Sequence, residues 1–172
     1  IFVANGHVAD DIERVQSRVT YAQAPHLFRN IGQGRFEEVI GDVGEALSNP
    51  MVARGAAYSD FDNDGDYDFI TGNNYRQILL FRKDGPGNNF GSSEVIHTMD
   101  VDTNYLMGVA TADFNNDGNM DIVFTGNEDD FHISKGNGDG TFETVHWDNN
   151  AQGSYVYGKD AADLDGDGCM DV

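Results

Sequence analysis

Apolar residues in this chain fall in short runs separated by polar, glycine-rich stretches. Phe69-Ile70-Thr71-Gly72-Asn73 and Ile122-Val123-Phe124-Thr125-Gly126-Asn127 are two such runs, and Ile78-Leu79-Leu80-Phe81, Phe131-His132-Ile133 and Leu27-Phe28 are three more. Runs of this length bounded by turn residues predict β-strands. The last three share a sequel, a glycine turn and then phenylalanine. Gly85 and Gly87 lead to Phe90, Gly136, Gly138 and Gly140 lead to Phe142, and Gly32 and Gly34 lead to Phe36. Each unit of ~50 residues thus offers about four short strands, the make-up of one β-propeller blade. The predicted fold is all-β, built of propeller blades.

One stretch has a different period. Between Gly6 and Ala24, Val8, Ile12, Val15 and Val19 fall at helical spacing, and Asp10 with Glu13 three residues on resembles a capping box. This predicts one short amphipathic helix, inserted into the repeat and packed on the propeller rim rather than kept for a partner.

The repeat is clearest in its acidic loops. Asp60 to Asp68, Asp113 to Asp121 and Asp163 to Asp171 share the pattern D-x-[DN]-x-D-G-x-x-D, with 53 residues between the first two starts and 50 between the next two. Glycine stands five residues before each, at Gly55, Gly108 and Gly158. Asp171-Val172 stops where the other repeats enter a strand, and Ile1-Phe2-Val3-Ala4-Asn5 supplies the continuation. Joined, they align without a gap on Asp121 to Asn127. The chain therefore reads as about three repeats, circularly permuted. Residues 1–50 complete a blade and carry the insertion at about 6–24, 51–103 and 104–154 are repeats with the first and second loops, and 155–172 begin a blade with the third.

Alternating acidic side chains in a tight loop have a coordination logic. Side chains at positions 1, 3 and 5 converge, glycine at 6 permits the bend, the carbonyl at 7 points inward, and the carboxylate at 9 closes the shell. The side-chain ligands are then Asp60, Asp62, Asp64 and Asp68 in the first loop, Asp113, Asn115, Asp117 and Asp121 in the second, and Asp163, Asp165, Asp167 and Asp171 in the third. Asp66, Asn119 and Cys169 would contribute carbonyls only. So many oxygens select a hard cation, and irregular geometry favours Ca²⁺ over Mg²⁺. An EF-hand is excluded, because its position 12 must be a bidentate Glu and here it is Thr71 or Phe124, both in predicted strands. Ordinary turn chemistry also favours Asp and Gly. It leaves the repulsion among four close carboxylates uncompensated, whereas a cation relieves it. Asn115 leaves the second loop three carboxylates, which predicts the weakest of three calcium sites.

Composition points the same way. Among 172 residues, 30 Asp and Glu face 10 Lys and Arg, for a formal charge of −20, while 39% of residues are hydrophobic. That is enough apolar content for a core, so the acidity does not mark a disordered tail. Three bound divalent ions would move the charge to about −14. A nucleic-acid partner is disfavoured because the phosphate attraction has the wrong sign. No apolar run reaches the length of a membrane span, and membrane insertion is not expected. The opening residues lack the features of a signal peptide, and the start without Met inside an apolar run suggests a processed or partial product. Cys169 is the sole cysteine, so no intrachain disulfide forms. A tolerated small residue is favoured there over an interchain disulfide. No N-x-[ST] sequon is present.

The acidic loops, their preceding glycines and the trailing G-x-G-x-F turns resemble FG-GAP/VCBS-type repeats, the propeller blades of integrin α-subunits and of many secreted bacterial proteins. The resemblance covers nearly the whole chain. More narrowly, Phe2 to Val8, Leu27-Phe28-Arg29-Asn30 and Val52 to Ala57 look like the cartilage-acidic-protein-like (ASPIC/UnbV-associated) branch. The resemblance implies an extracellular, calcium-stabilised, often seven-bladed propeller used in cell adhesion and ligand binding. Three blades are too few to close a ring. The expectation is a fragment of a larger propeller, half of a two-chain ring, or a head-to-tail filament in which Ile1 to Asn5 complete the last blade of a neighbour.

Catalysis is not expected. His7, His26, His97, His132 and His146 are scattered, and no H-E-x-x-H, G-x-S-x-G or P-loop occurs. The leading expectation is an extracellular calcium-binding repeat module with a protein or glycan ligand. A lectin is the alternative, since Trp147, Tyr155 and Tyr157 stand near Asp148, Asn149 and Asn150 and could stack on and bind a sugar, and a non-catalytic propeller piece of a secreted enzyme is the less favoured one.

Overall fold

A computed structural model describes residues 1–41, 43–73, 75–87, 89–98, 106–126, 131–147 and 160–171. In chain order the elements are β1 (Phe2–Val3), α1 (Ile12–Val15), β2 (His26–Gly32), β3 (Arg35–Glu38), α2 (Gly44–Ser48), β4 (Ala53–Ser59), β5 (Asp68–Asn73), β6 (Gln77–Phe81), β7 (Ser93–Thr98), β8 (Leu106–Ala112), β9 (Asp121–Gly126), β10 (Phe131–Gly136) and β11 (Phe142–Trp147). The strands form three antiparallel sheets, ordered β1-β2-β3, β4-β5-β6-β7 and β8-β9-β10-β11. Two of them are up-and-down four-stranded meanders, and the all-β blade reading holds.

Strand alternation explains why the β4–β7 sheet lies in the middle. Successive side chains of a strand point to opposite faces. On β5 and β6 this sends Ile70, Ile78 and Leu80 to one side, where they pack with Phe61, Val109, Ile122 and Phe124 against the β8–β11 sheet. It sends Phe69, Leu79 and Phe81 to the other, where they meet Ala46, Leu47 and Phe90, with Phe2 and Leu27 of the three-stranded sheet at the margin. The rings of Phe69 and Phe81 stack at 4.5 Å. A sheet covered on both faces needs continuous apolar runs, which is why β5 and β6 lack polar alternation.

Adjacent blades meet along their first strands. Gly55 sits in β4 at φ +62°, at a register shift between Arg54 and Ala56, and a Cβ there would stand 3.4 Å from the Val109 nitrogen of β8. Glycine five residues ahead of the loop therefore allows both a bulge and a close approach of backbones. In the next blade the register shift lies one residue earlier relative to the loop, between Leu106 and Gly108, so Gly108 itself pairs with Thr125. In the third repeat the described contact is one bridge, Ala162 with Asp171, which matches Ser59 with Asp68 and Ala112 with Asp121.

The expected helix is shorter than its stripe. α1 is a single turn, Ile12–Val15, and its N-cap is Asp11, which makes no side-chain capping bond, in place of a box on Asp10. It buries no residue, with Val8 80% and Val15 77% exposed. A helical period is realised only where a surface exists to bury it, and one turn carries a nucleation cost that nothing here offsets. The insertion is held instead by Arg54, whose guanidinium donates to the carbonyls of Gly6 at 3.3 Å and His7 at 2.9 Å. A second short helix, α2, was not expected from the sequence. It opens at Gly44, whose φ is +81°, and buries Ala46 and Leu47 beneath Phe69 and Phe90.

Candidate metal centres

The three acidic loops share one hydrogen-bond plan. Their position-1 carboxylates straddle the bend. Asp60 accepts from the Asp64 and Gly65 N–H groups at 3.1 and 3.0 Å, Asp113 from Asp117 and Gly118 at 3.0 and 2.8 Å, and Asp163 from Gly166 and Gly168 at 2.6 and 3.0 Å. Position 5 accepts from the N–H of position 7 in each: Asp64 from Asp66, Asp117 from Asn119, and Asp167 from Cys169. Position 9 accepts from the N–H of position 2, namely Asp68 from Phe61, Asp121 from Phe114 and Asp171 from Leu164. The glycines at position 6, Gly65, Gly118 and Gly168, all have φ near +90°, a conformation glycine adopts without penalty. Asn63 and Asn116 at position 4 take the left-handed region at φ 58° and 57°, which asparagine tolerates.

The position-9 residues are anchors as well as candidate ligands. Asp68 and Asp121 open β5 and β9, are each 1% exposed, and accept a second backbone bond from Lys83 at 2.9 Å and Gly136 at 2.9 Å. Burial pushes the Asp68 carboxyl up to about 6, with the charges of Asp62 and Asp64 adding to the rise and the two N–H bonds opposing it. Asp121 is raised for the same reason, burial first. Asp62 is raised by burial and then by Asp64. Burial leads each of these shifts, and the neighbouring loop carboxylates add to it.

Three carboxylates converge in two of the loops. Single oxygens of Asp60, Asp62 and Asp68 lie within 4.8 Å of one another, as do those of Asp163, Asp165 and Asp171. In the first loop Asp84, from the turn after β6, forms a further triple with Asp62 and Asp64. Sequence reasoning confined to the nine-residue pattern had no signal for Asp84, which lies 16 residues beyond the pattern's end. Among the described residues the second loop shows no such triple. There Asn115 donates its amide to Asp121 at 3.1 Å, and Lys135 pairs with Asp117 at 3.0 Å. Asp66 points its carboxylate at Lys83 Nζ, 2.7 Å away, so that side chain is engaged elsewhere and its carbonyl is what position 7 offers. Asn119 and Cys169 likewise bond to neighbouring loops through their side chains.

Carboxylate triples of this spacing, with further oxygens on the same loop, suit a hard divalent cation that accepts many oxygen ligands. Two of the scattered histidines approach each other, His132 stacking on Phe124 with a centroid distance of 5.1 Å and His97 lying 6.1 Å from His132. His26 pairs with Glu38. Of the residues expected for a sugar site, Asp148, Asn149, Asn150, Tyr155 and Tyr157 lie outside the described residues, and Trp147 closes β11.

None of the curated proteins compared with the chain matches it. A family model described as an FG-GAP-like repeat matches residues 60–124 and 119–172, beginning at the first acidic loop and running through the other two. The meander blades and their loops fit that match, and the chain belongs to the FG-GAP-like repeat family.

Proposed function

We propose that this chain is a non-catalytic, calcium-stabilised propeller module that works outside the cell in adhesion or ligand binding. The observation that carries the reading is the shared loop plan, in which backbone N–H groups hold carboxylates of the first and third loops in triples within 4.8 Å. Calcium would supply the positive charge those carboxylates lack, and Asp60, Asp62, Asp64 and Asp68 would hold it in the first loop with the Asp66 carbonyl. Repeats of this family are typically extracellular and adhesion-like. No described helix is long and apolar enough to cross a membrane. Phe2 to Val8 and Val52 to Ala57 favour the cartilage-acidic-protein-like branch within the family.

The partner surface favoured by this reading is the free edge of β1. Among the described residues β1 pairs only with β2, while β5 and β9 each have a strand on both sides. Beside that edge lies a cavity of about 340 Å³ lined by Ile1, Phe2, Ala56, Ala57, Tyr58 and Phe69. A strand of the repeat's first type, added there, would bury these groups and extend the assembly.

Isothermal titration with calcium, joined to thermal unfolding in chelator and after calcium is restored, tests the metal reading. Binding to the native state adds about 2.7 kcal/mol per site at roughly 100 times its Kd, so the melting temperature should fall in chelator and recover with calcium. An unchanged melting curve and no binding heat would sink the proposal.

A further inference from the structure

We propose that Lys135 is the built-in cation of the second loop, closing it without a divalent ion and leaving it at least about tenfold weaker for calcium than the first and third loops. This rests on the calcium reading above.

Lys135 stands on β10 and its Nζ lies 3.0 Å from Asp117 Oδ2, the position-5 carboxylate. Asn115, at position 3, turns its amide toward Asp121 Oδ2 at 3.1 Å. Two of the three carboxylates of this loop are therefore met by side-chain donors, one of which is fully charged. Asp113 keeps only the bend bonds it shares with its counterparts in the other loops.

The first loop distributes its cations differently. Arg82, one residue past the end of β6, occupies the place equivalent to Lys135, because Lys83 and Gly136, the next residues, make the same bond to Asp68 and Asp121. Its guanidinium goes to Glu94 at 3.1 Å and to the Gly140 carbonyl at 3.2 Å. Lys83 goes to Asp66, whose carboxylate is not in the ligand set. Neither side chain forms an ion pair with Asp60, Asp62, Asp64 or Asp68, although the Arg82 charge favours the ionised form of Asp62, so the position-5 carboxylate Asp64 has no ammonium on it as Asp117 has. The carboxylate triple of the first loop joins positions 1, 3 and 9, and the second loop lacks its counterpart because position 3 is Asn115. A half-exposed ion pair adds little to stability. Its effect is on occupancy, since an ammonium on a ligand oxygen both blocks that oxygen and repels an incoming divalent ion.

Calcium titration of the full chain by calorimetry, with Lys135→Met and Asp117→Asn beside it, tests the assignment. The unsubstituted chain should bind two ions tightly, Lys135→Met should bind a third with affinity raised at least about tenfold, and Asp117→Asn should keep both tight ions. Three ions of like affinity in the unsubstituted chain, a tight ion lost in Asp117→Asn, or no gain in a folded Lys135→Met would each overturn the proposal while leaving the calcium reading in place. No binding at any loop would overturn both. A lower melting temperature in Lys135→Met with an unchanged ion count would mark a merely structural ion pair, and would also overturn it.

Discussion

Asn63 of the first loop donates from Nδ2 to Asn119 Oδ1 of the second at 3.4 Å, and Asn116 of the second stands in the same relation to Cys169 of the third, Nδ2 to Sγ at 3.7 Å. Position 4 of one loop thus touches position 7 of the next, the residue whose carbonyl would face that loop's ion. Asn63 also donates to the Gly138 carbonyl at 3.1 Å, tying the loop to the β10–β11 turn.

Two substitutions separate this contact from its backbone. Asn63→Gly keeps the left-handed conformation and loses the inter-blade bonds, for an expected cost of about 1 kcal/mol. Asn63→Ala loses the bonds and also leaves in the left-handed region a residue without the short polar side chain that eases it, for roughly 1–2 kcal/mol more than glycine. Urea unfolding of both variants should rank them in that order. Equal stability to the unsubstituted chain would mean the bonds between loops carry no weight.

Protonation of Asp68 should stabilise the metal-free protein. Its folded value of about 6 lies above the unfolded value of 3.8, so the native state takes up a proton the unfolded chain does not. Stability from this group is fully present below 3.8 and is lost as pH rises through about 6. Unfolding in chelator should therefore show a gain of about 1 kcal/mol from pH 7 to pH 5 from this group. With saturating calcium the trend should reverse, because protons compete with the ion for the same oxygens. A metal-free protein that weakens steadily over that range would contradict the expectation.

Positions 3 and 9 should respond differently to loss of charge. Asp68 accepts from two N–H groups, one on each oxygen, and Asp68→Asn turns one acceptor into a donor facing a donor. The expected cost is about 1–3 kcal/mol even in chelator. Asp62 accepts one bond at 3.3 Å, and Asp62→Asn removes repulsion among the loop carboxylates. That variant should unfold in chelator much as the parent does, yet lose an ion in calcium titration.

Core and insertion should also part company. Leu80 is fully buried between the two four-stranded sheets, and Leu80→Ala is expected to cost roughly 2–5 kcal/mol. Val15→Ala on α1 should change stability by less than about 0.5 kcal/mol, since that side chain is exposed. A large loss from Val15→Ala in denaturant unfolding would show that the insertion packs against something.

Features set within a few residues along the chain were legible in the order of residues alone. Strands at Phe69 and Ile122, each one residue short of the observed start, glycine at the bends and the plan of each loop follow from spacing, because the groups that bond one another are two to seven residues apart. The Val8 to Val19 stripe misled for the converse reason, since periodicity states which face could be buried and not whether a surface meets it. The charges that stand beside each loop are set by the fold as a whole. Asp84 joins the first, Lys135 closes on Asp117 across 18 residues, and Asn63 reaches Asn119 across 56. Those partners arrive from other strands and blades, so their placement depends on how sheets pair and pack, and no local pattern of residues encodes it.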